Sequence, residues 1–86
     1  MKLEGSTYWE NRLIGRQTRE ITEDNRPFVF HLDRCLVSIC KDLGIPLPVW
    51  MEKNTREFAA FHQTVFTAEQ FGEKIQFDRL QIRLSE

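Results

Sequence analysis

The sequence predicts a small α+β domain in which one main amphipathic helix packs on a small antiparallel sheet, with one or two short helices beside it. Three observations support this fold class. Apolar residues recur with a helical period over residues 28–43, residues 12–22 and 79–84 favour strands, and a chain of 86 residues has room for one core. We therefore expect a single domain over residues 1–86.

The helix over residues 28–43 is the clearest predicted element. Most of its apolar residues lie three or four positions apart and therefore share one face: Phe28, Leu32, Cys35, Leu36, Ile39 and Leu43. Gly44 suits the left-handed position that follows a helix, and Pro46 prevents the helix from resuming. We expect the residues of this face from Leu32 onward to be buried and Gly44 to have a positive φ.

The segment before this helix has two interpretations. Isoleucine and threonine residues within 12–22 favour a strand, whereas Thr7 with Glu10 three residues later resembles a capping box that opens a helix. Gly15 disfavours the helix, because glycine is a poor helix former. We therefore expect a strand.

The segment between Gly44 and Trp50 is expected to be a buried connection. Pro46 and Pro48 fix an extended backbone, and the residues between them and around them are apolar. Apolar chain of this kind is tolerated in water only when it lies on a core. We expect Trp50 to be largely buried against the main helix.

The C-terminal part of the chain is predicted to alternate between short helices and strands. Asn54 and Glu57 resemble an N-cap and its partner, so a short helix is expected from about Thr55 to Ala60. The remaining expected elements are a strand over 61–66, one helical turn capped by Thr67 and Gln70, a bulge or turn at Asp78-Arg79, and a final strand over 79–84.

Composition excludes some classes of function and gives an expected location. With 12 basic and 13 acidic residues the net charge is −1, so no overall field attracts nucleic acid or an anionic membrane. No signal peptide or transmembrane span is expected. Cys35 and Cys40 are badly placed on a helix for a mutual disulfide, which favours free thiols and a cytoplasmic protein.

His31 and Cys35 form the strongest candidate for chemistry, because Ser38 and Asp42 follow them along the same flank of the helix. A neighbouring cysteine and histidine are typical of an activated thiol or of part of a metal site. A metal site needs three or four ligands, and His62 is the only other histidine. We expect these residues to serve packing, and we expect no enzyme activity and no cofactor.

A second alternative is a nucleic-acid-binding module that uses Trp9, Arg12 and Arg16. Positive charge beside an aromatic side chain is typical of proteins that bind single strands. On a strand Arg12 and Arg16 are expected to share a face. Acidic residues follow at once, among them Glu20, and cancel the local charge, so we do not favour this function.

The favoured hypothesis is a non-enzymatic interaction or accessory module. Phe30 and Val37 lie seven residues apart on the helix face opposite the predicted core and form an apolar strip. An exposed Trp50 beside them would provide an aromatic anchor of the kind that dominates binding at interfaces. A protein partner is therefore expected, and self-association as a homodimer is its simplest form.

The C-terminal half resembles a family of short uncharacterised bacterial proteins. The residues that carry the resemblance are Ile45-Pro46-Leu47-Pro48-Val49-Trp50, Lys53-Asn54, Glu57-Phe58, Phe66, Gln70-Phe71 and Phe77-Asp78. This motif is a packing pattern of prolines and aromatic residues. The resemblance implies a bacterial origin and a fold, and it assigns no functional residue.

Overall fold

A computed structural model describes residues 1–86 as four strands and two α-helices on one sheet. The elements in chain order are β1 (Lys2–Trp9), β2 (Arg12–Glu20), α1 (Phe28–Leu43), α2 (Glu52–Phe61), β3 (Gln63–Thr67) and β4 (Arg79–Ser85). The strands are antiparallel in the order β2-β1-β4-β3. The predicted α+β fold, with one main helix over 28–43, is confirmed.

The N-terminal segment is a hairpin of β1 and β2, and only its second strand was expected. β2 confirms the strand expected over 12–22, and the alternative helix is wrong because Thr7 lies in β1. Glu10 and Asn11 connect the strands with φ values of 49° and 65°. Positive φ at both central residues is typical of the type I′ turn of two-residue hairpins. The Asp78 carboxylate accepts the Glu10 backbone N–H at 2.6 Å and ties this turn to the start of β4.

A bulge changes the direction of the side chains along β2. In the β1–β2 ladder Ile14 has no partner, and the register shifts at this point. An extra residue reverses the alternation of side chains between the two faces of a sheet. Arg12 therefore lies opposite Trp9 on one face, whereas Arg16 lies opposite Ser6 on the other. The expectation that Arg12 and Arg16 share a face is wrong for this reason.

α1 covers one face of the sheet at close range. A Cβ on Gly5 of β1 would lie 2.5 Å from Cγ2 of Ile39, and a Cβ on Gly15 of β2 would lie 3.1 Å from Cδ2 of Leu43. Carbon atoms attract each other best at about 3.5–4.0 Å, so α1 reaches this position only because both strand residues lack a side chain.

The predicted core face of α1 is largely confirmed. Its buried members are Leu32, Leu36 and Ile39, whereas Cys35 and Leu43 are half-buried. Gly44 has a φ of 70°, as expected, and its N–H donates to the Lys41 carbonyl at 3.1 Å. The helix therefore ends where the sequence predicts.

A buried polar network fixes α2 against β3. Asn54 is fully buried, its Oδ1 accepts the Met51 N–H and the Gln70 side-chain amide at 2.9 Å each, and its Nδ2 donates to Thr64 Oγ1 at 2.8 Å. Asn54 thus caps the helix from inside its first turn. α2 begins at Glu52, three residues earlier than expected.

The remaining C-terminal expectations agree closely with the structure. β3 covers most of the strand expected over 61–66, and a 3-10 turn, Ala68–Gln70, follows it where a helical turn was expected. β4 begins at Arg79, where the final strand was expected, and the chain bends at Asp78 just before it. None of the helices is long and apolar enough to cross a membrane.

Candidate functional site

An apolar groove between α1 and α2 is a large concave feature of the molecule. Its volume is about 700 Å³, and nine of its thirteen lining residues are hydrophobic. Val29 and Leu36 line it from α1, Ala59 from α2, and Leu47 and Trp50 from the connection between the helices. Binding sites are typically apolar clefts of about 300–1,000 Å³. The α1–α2 groove is therefore the best candidate site of this chain.

Apolar side chains also lie at the exposed edge of the α1–α2 groove. Phe28, Val29 and Leu47 are 40%, 72% and 48% exposed, although each lines the groove. Contiguous apolar surface that reaches beyond a cleft is typical of protein contact sites. The groove therefore offers a wider contact area than its concave part alone.

Three polar side chains lie among the apolar residues of the groove. The Thr55 hydroxyl accepts a hydrogen bond from Trp50 Nε1 at 2.8 Å, and His62 ends α2 with a φ of 57°. Asp33 lies on the α1 side and forms no ion pair with any other residue. An unpaired carboxylate beside apolar surface favours an occupant that carries a positive charge.

Trp50 lies in this groove and packs differently from expectation. It is half-buried, and its ring centroid lies 5.5 Å from that of Phe66 in β3 and 6.1 Å from that of Phe58 in α2. The prediction that Trp50 is largely buried is confirmed only in part, because the side chain packs on the core but is half-buried and has its aromatic contacts on α2 and β3. The Val49 N–H donates to the Gln70 carbonyl at 2.6 Å and holds the preceding segment beside the 3-10 turn that follows β3.

The other predicted interface residues lie outside the groove. Phe30 and Val37 are 38% and 45% exposed on α1, and neither is among the residues that line the groove with Trp50. The guanidinium carbons of Arg26 and Arg34 lie 4.7 Å and 5.6 Å from the centroid of the Phe30 ring. These cation–π contacts cover part of the expected apolar strip. The three candidate interface residues thus do not form one surface.

His31 and Cys35 have separate partners. His31 Nε2 lies 2.8 Å from Asp24 Oδ1, and the Cys35 thiol donates to the Glu20 carbonyl at 3.6 Å. Burial raises the pKa of the Cys35 thiol, which is the opposite of what an activated nucleophile requires. No group of three His, Cys, Asp or Glu side chains is placed to hold a metal ion.

The rest of the His31 flank holds α1 against β2. The Arg19 guanidinium donates to Ser38 Oγ at 3.0 Å and pairs with the Asp42 carboxylate. The side of α1 that carries the candidate reactive residues His31 and Cys35 thus contacts β2, an edge strand of the sheet. Ser38 and Asp42 both contact β2 through Arg19.

The candidate nucleic-acid residues are also separated. Trp9 is 46% exposed and lies opposite Arg12 on the face that carries α1. Arg16, on the other face, donates to Ser6 Oγ at 3.0 Å and pairs with Glu4 at 3.5 Å. The structure therefore does not bring Trp9, Arg12 and Arg16 together.

The α1–α2 groove was not among the sites predicted from the sequence. One signal was available, because Val29 is an apolar residue outside the predicted core face of α1. The expectation that the segment before Trp50 is buried is wrong for Leu47 and Val49, which are 48% and 55% exposed. No protein-family model matches this chain, and searches among curated proteins and solved structures return no match. The resemblance in the C-terminal half therefore stays an interpretation of the sequence.

Proposed function

We propose that this chain is a non-enzymatic interaction module whose α1–α2 groove binds an amphipathic, positively charged helix of a partner protein. The observation that carries the proposal is the groove itself, an apolar cleft of about 700 Å³ with an unpaired carboxylate, Asp33, in its wall. Recognition of an amphipathic helix in a hydrophobic groove is a recurrent mode of protein binding.

The form of the groove favours a helix over a small ligand. Its two walls are helices, and a third helix packs into such a space with its axis about 8–10 Å from each neighbour. Val29 lines the groove and is still 72% exposed, so an occupant that extends beyond the concave part buries more of this side chain. A small ligand confined to the cleft covers only part of it.

The negative charge of Asp33 favours a bound helix with basic residues. Asp33 forms no ion pair with a basic residue of the chain. A lysine or arginine of the occupant would pair with its carboxylate and so stabilise it when water leaves the contact. An acidic helix brings two like charges together instead. The expected occupant therefore has an apolar stripe flanked by basic residues.

Two designed peptides test this proposal. Both have leucine on one face; one has lysine and the other glutamate on the remaining face, and each is about 18 residues long because shorter isolated helices are marginal in water. The protein carries Trp9→Phe, so Trp50 in the groove is its single fluorescent reporter. We expect saturable changes in Trp50 emission with the lysine peptide, and much weaker binding of the glutamate peptide.

Variants on α1 locate the contact. Val29→Gln should weaken binding of the lysine peptide about five- to thirtyfold, since burial of a valine contributes roughly 1–2 kcal/mol. Val37→Gln is the matched control, because Val37 is an exposed valine of the same helix outside the groove. Asp33→Asn should reduce the preference for the lysine peptide. Equal effects of the two valine substitutions, or equal binding of both peptides, would contradict the proposal.

Self-association stays a separate prediction. A second copy that packs on Phe30 and Val37 would give a dimer in light scattering at high protein concentration, and Val37→Gln would weaken it. A monomer at all concentrations removes this form of the hypothesis without affecting the groove. We also propose a cytoplasmic location and a bacterial origin, which the free thiols and the C-terminal resemblance support.

A further inference from the structure

We propose that the face of the sheet opposite the helices binds single-stranded nucleic acid. α1 lies on the face where Gly5 and Gly15 meet Ile39 and Leu43. The alternation of the strands places a second set of side chains on the opposite face, where no helix packs: Glu4, Ser6, Tyr8, Arg16, Gln81 and Arg83, with their neighbours in register. We call this surface the open face.

The open face concentrates positive charge. Lys2, Arg16, Arg79 and Arg83 lie on it, against Glu4 and Glu20, although the whole chain carries a net charge of −1. Glu4 pairs with Arg16 at 3.5 Å and Arg79 donates to Asn11 Oδ1 at 3.4 Å, whereas the Arg83 side chain is exposed and has no hydrogen bond or ion pair within the chain. An unpaired guanidinium group on a flat polar surface is suited to phosphate oxygens.

A stacking platform, formed by the Tyr8 ring with the Arg79 guanidinium over one of its faces, lies beside these cations. The Arg79 guanidinium carbon is 4.4 Å from the centroid of the Tyr8 ring, and Tyr8 and Arg79 are direct partners in the β1–β4 ladder. Leu13, 48% exposed, is the partner of Tyr8 on the other side. Proteins that bind single strands combine a positive surface with aromatic side chains on which bases stack.

This combination favours single strands over other anionic partners. Duplex DNA exposes no base faces, and an open flat sheet presents nothing that enters its grooves. An acidic peptide or polysaccharide satisfies the arginines but gains nothing from the Tyr8 platform. The surface also differs from the one that the sequence suggested, since Arg16 alone is common to both. The inference is independent of the α1–α2 groove.

Fluorescence anisotropy with a labelled oligothymidine tests the inference. At about 50 mM salt we expect measurable binding that weakens as salt rises, because each neutralised phosphate of a single strand contributes about 0.7 to the logarithmic salt slope. Unlabelled heparin and duplex DNA serve as competitors without accessible bases. The single strand should compete at least fivefold better than either, and equal competition would overturn the inference.

Three variants locate the contact. Tyr8→Leu, which keeps an apolar side chain, should weaken binding at least fivefold, since stacking of one base contributes about 1–3 kcal/mol. Arg83→Gln should weaken it and lower the salt slope by about 0.7. Arg56→Gln removes the same charge from α2, where Arg56 pairs only with Glu52, and is the matched control. Absence of binding by the wild type, or equal effects of Arg56→Gln and Arg83→Gln, would overturn the inference.

Discussion

Substitution of Gly5 by alanine tests how closely α1 packs on β1. The new Cβ would lie 2.5 Å from Cγ2 of Ile39, both groups being fully enclosed in the core. Carbon atoms need about 3.5 Å, so the helix must shift by about 1 Å or Ile39 must leave its rotamer. Overpacking of this kind costs about 1–3 kcal/mol. Urea unfolding followed by circular dichroism should show a loss in the free energy of unfolding of this size.

The double variant Gly5→Ala with Ile39→Leu tests the cause. Leucine is not β-branched, so Ile39→Leu removes Cγ2, the atom that meets the new methyl group. Ile39→Leu alone should lower the free energy of unfolding by less than about 1.5 kcal/mol. In the Ile39→Leu background, Gly5→Ala should destabilise the protein by at least about 0.5 kcal/mol less than it does in the wild type. Gly72→Ala, with no atom within 4 Å of its Cβ, is the control. Equal costs of Gly5→Ala in both backgrounds would refute the reasoning.

Three further predictions concern single groups. Gly44→Ala should destabilise the protein by about 1–2 kcal/mol in the same unfolding assay, since its φ of 70° is unfavourable for other residues; a neutral result would contradict this. Hydrogen bonds from Arg26 hold the pKa of Asp24 well below its ordinary value of 3.8. The stability that these hydrogen bonds contribute is therefore present above pH 3.8 and is lost as the pH falls below it. The free energy of unfolding should show this loss between about pH 4 and pH 2 in the wild type and not in Asp24→Asn. Burial raises the pKa of the Cys40 thiol to about 11, so Ellman's reagent should react slowly with the partly exposed Cys35 in the native protein and with Cys40 only after unfolding.

The elements that the sequence predicts well are those with a local cause. α1 follows from the spacing of Leu32, Leu36 and Ile39, and its end follows from Gly44. β1 and the Glu10-Asn11 turn were missed, because neither residue of the turn is glycine and β1 itself contains Gly5. Residue propensities do not predict a strand well when the strand contains a glycine that is needed for close packing of a helix.

The sites depend on contacts that sequence spacing does not contain. The α1–α2 groove arises because residues 45–50 place Trp50 against Phe66, which leaves Val29 without a cover. The open face could not be derived either, since the bulge at Ile14 decides on which side of the sheet Arg16 lies. A one-residue change of register moves every later side chain to the other face. Of the candidate residues, only Trp50 therefore lines the α1–α2 groove, and only Arg16 lies on the open face.

Chemical-shift mapping with the leucine–lysine peptide tests the central claim most directly. In a titration of ¹⁵N-labelled protein, we expect the largest shifts at the backbone amides of Val29, Asp33 and Ala59 and at the indole N–H of Trp50, which all belong to residues lining the α1–α2 groove. Val37, on the same helix but outside the groove, should shift little. Shifts centred on Val37, or shifts spread evenly over the surface, would contradict the assignment of the groove as the binding site.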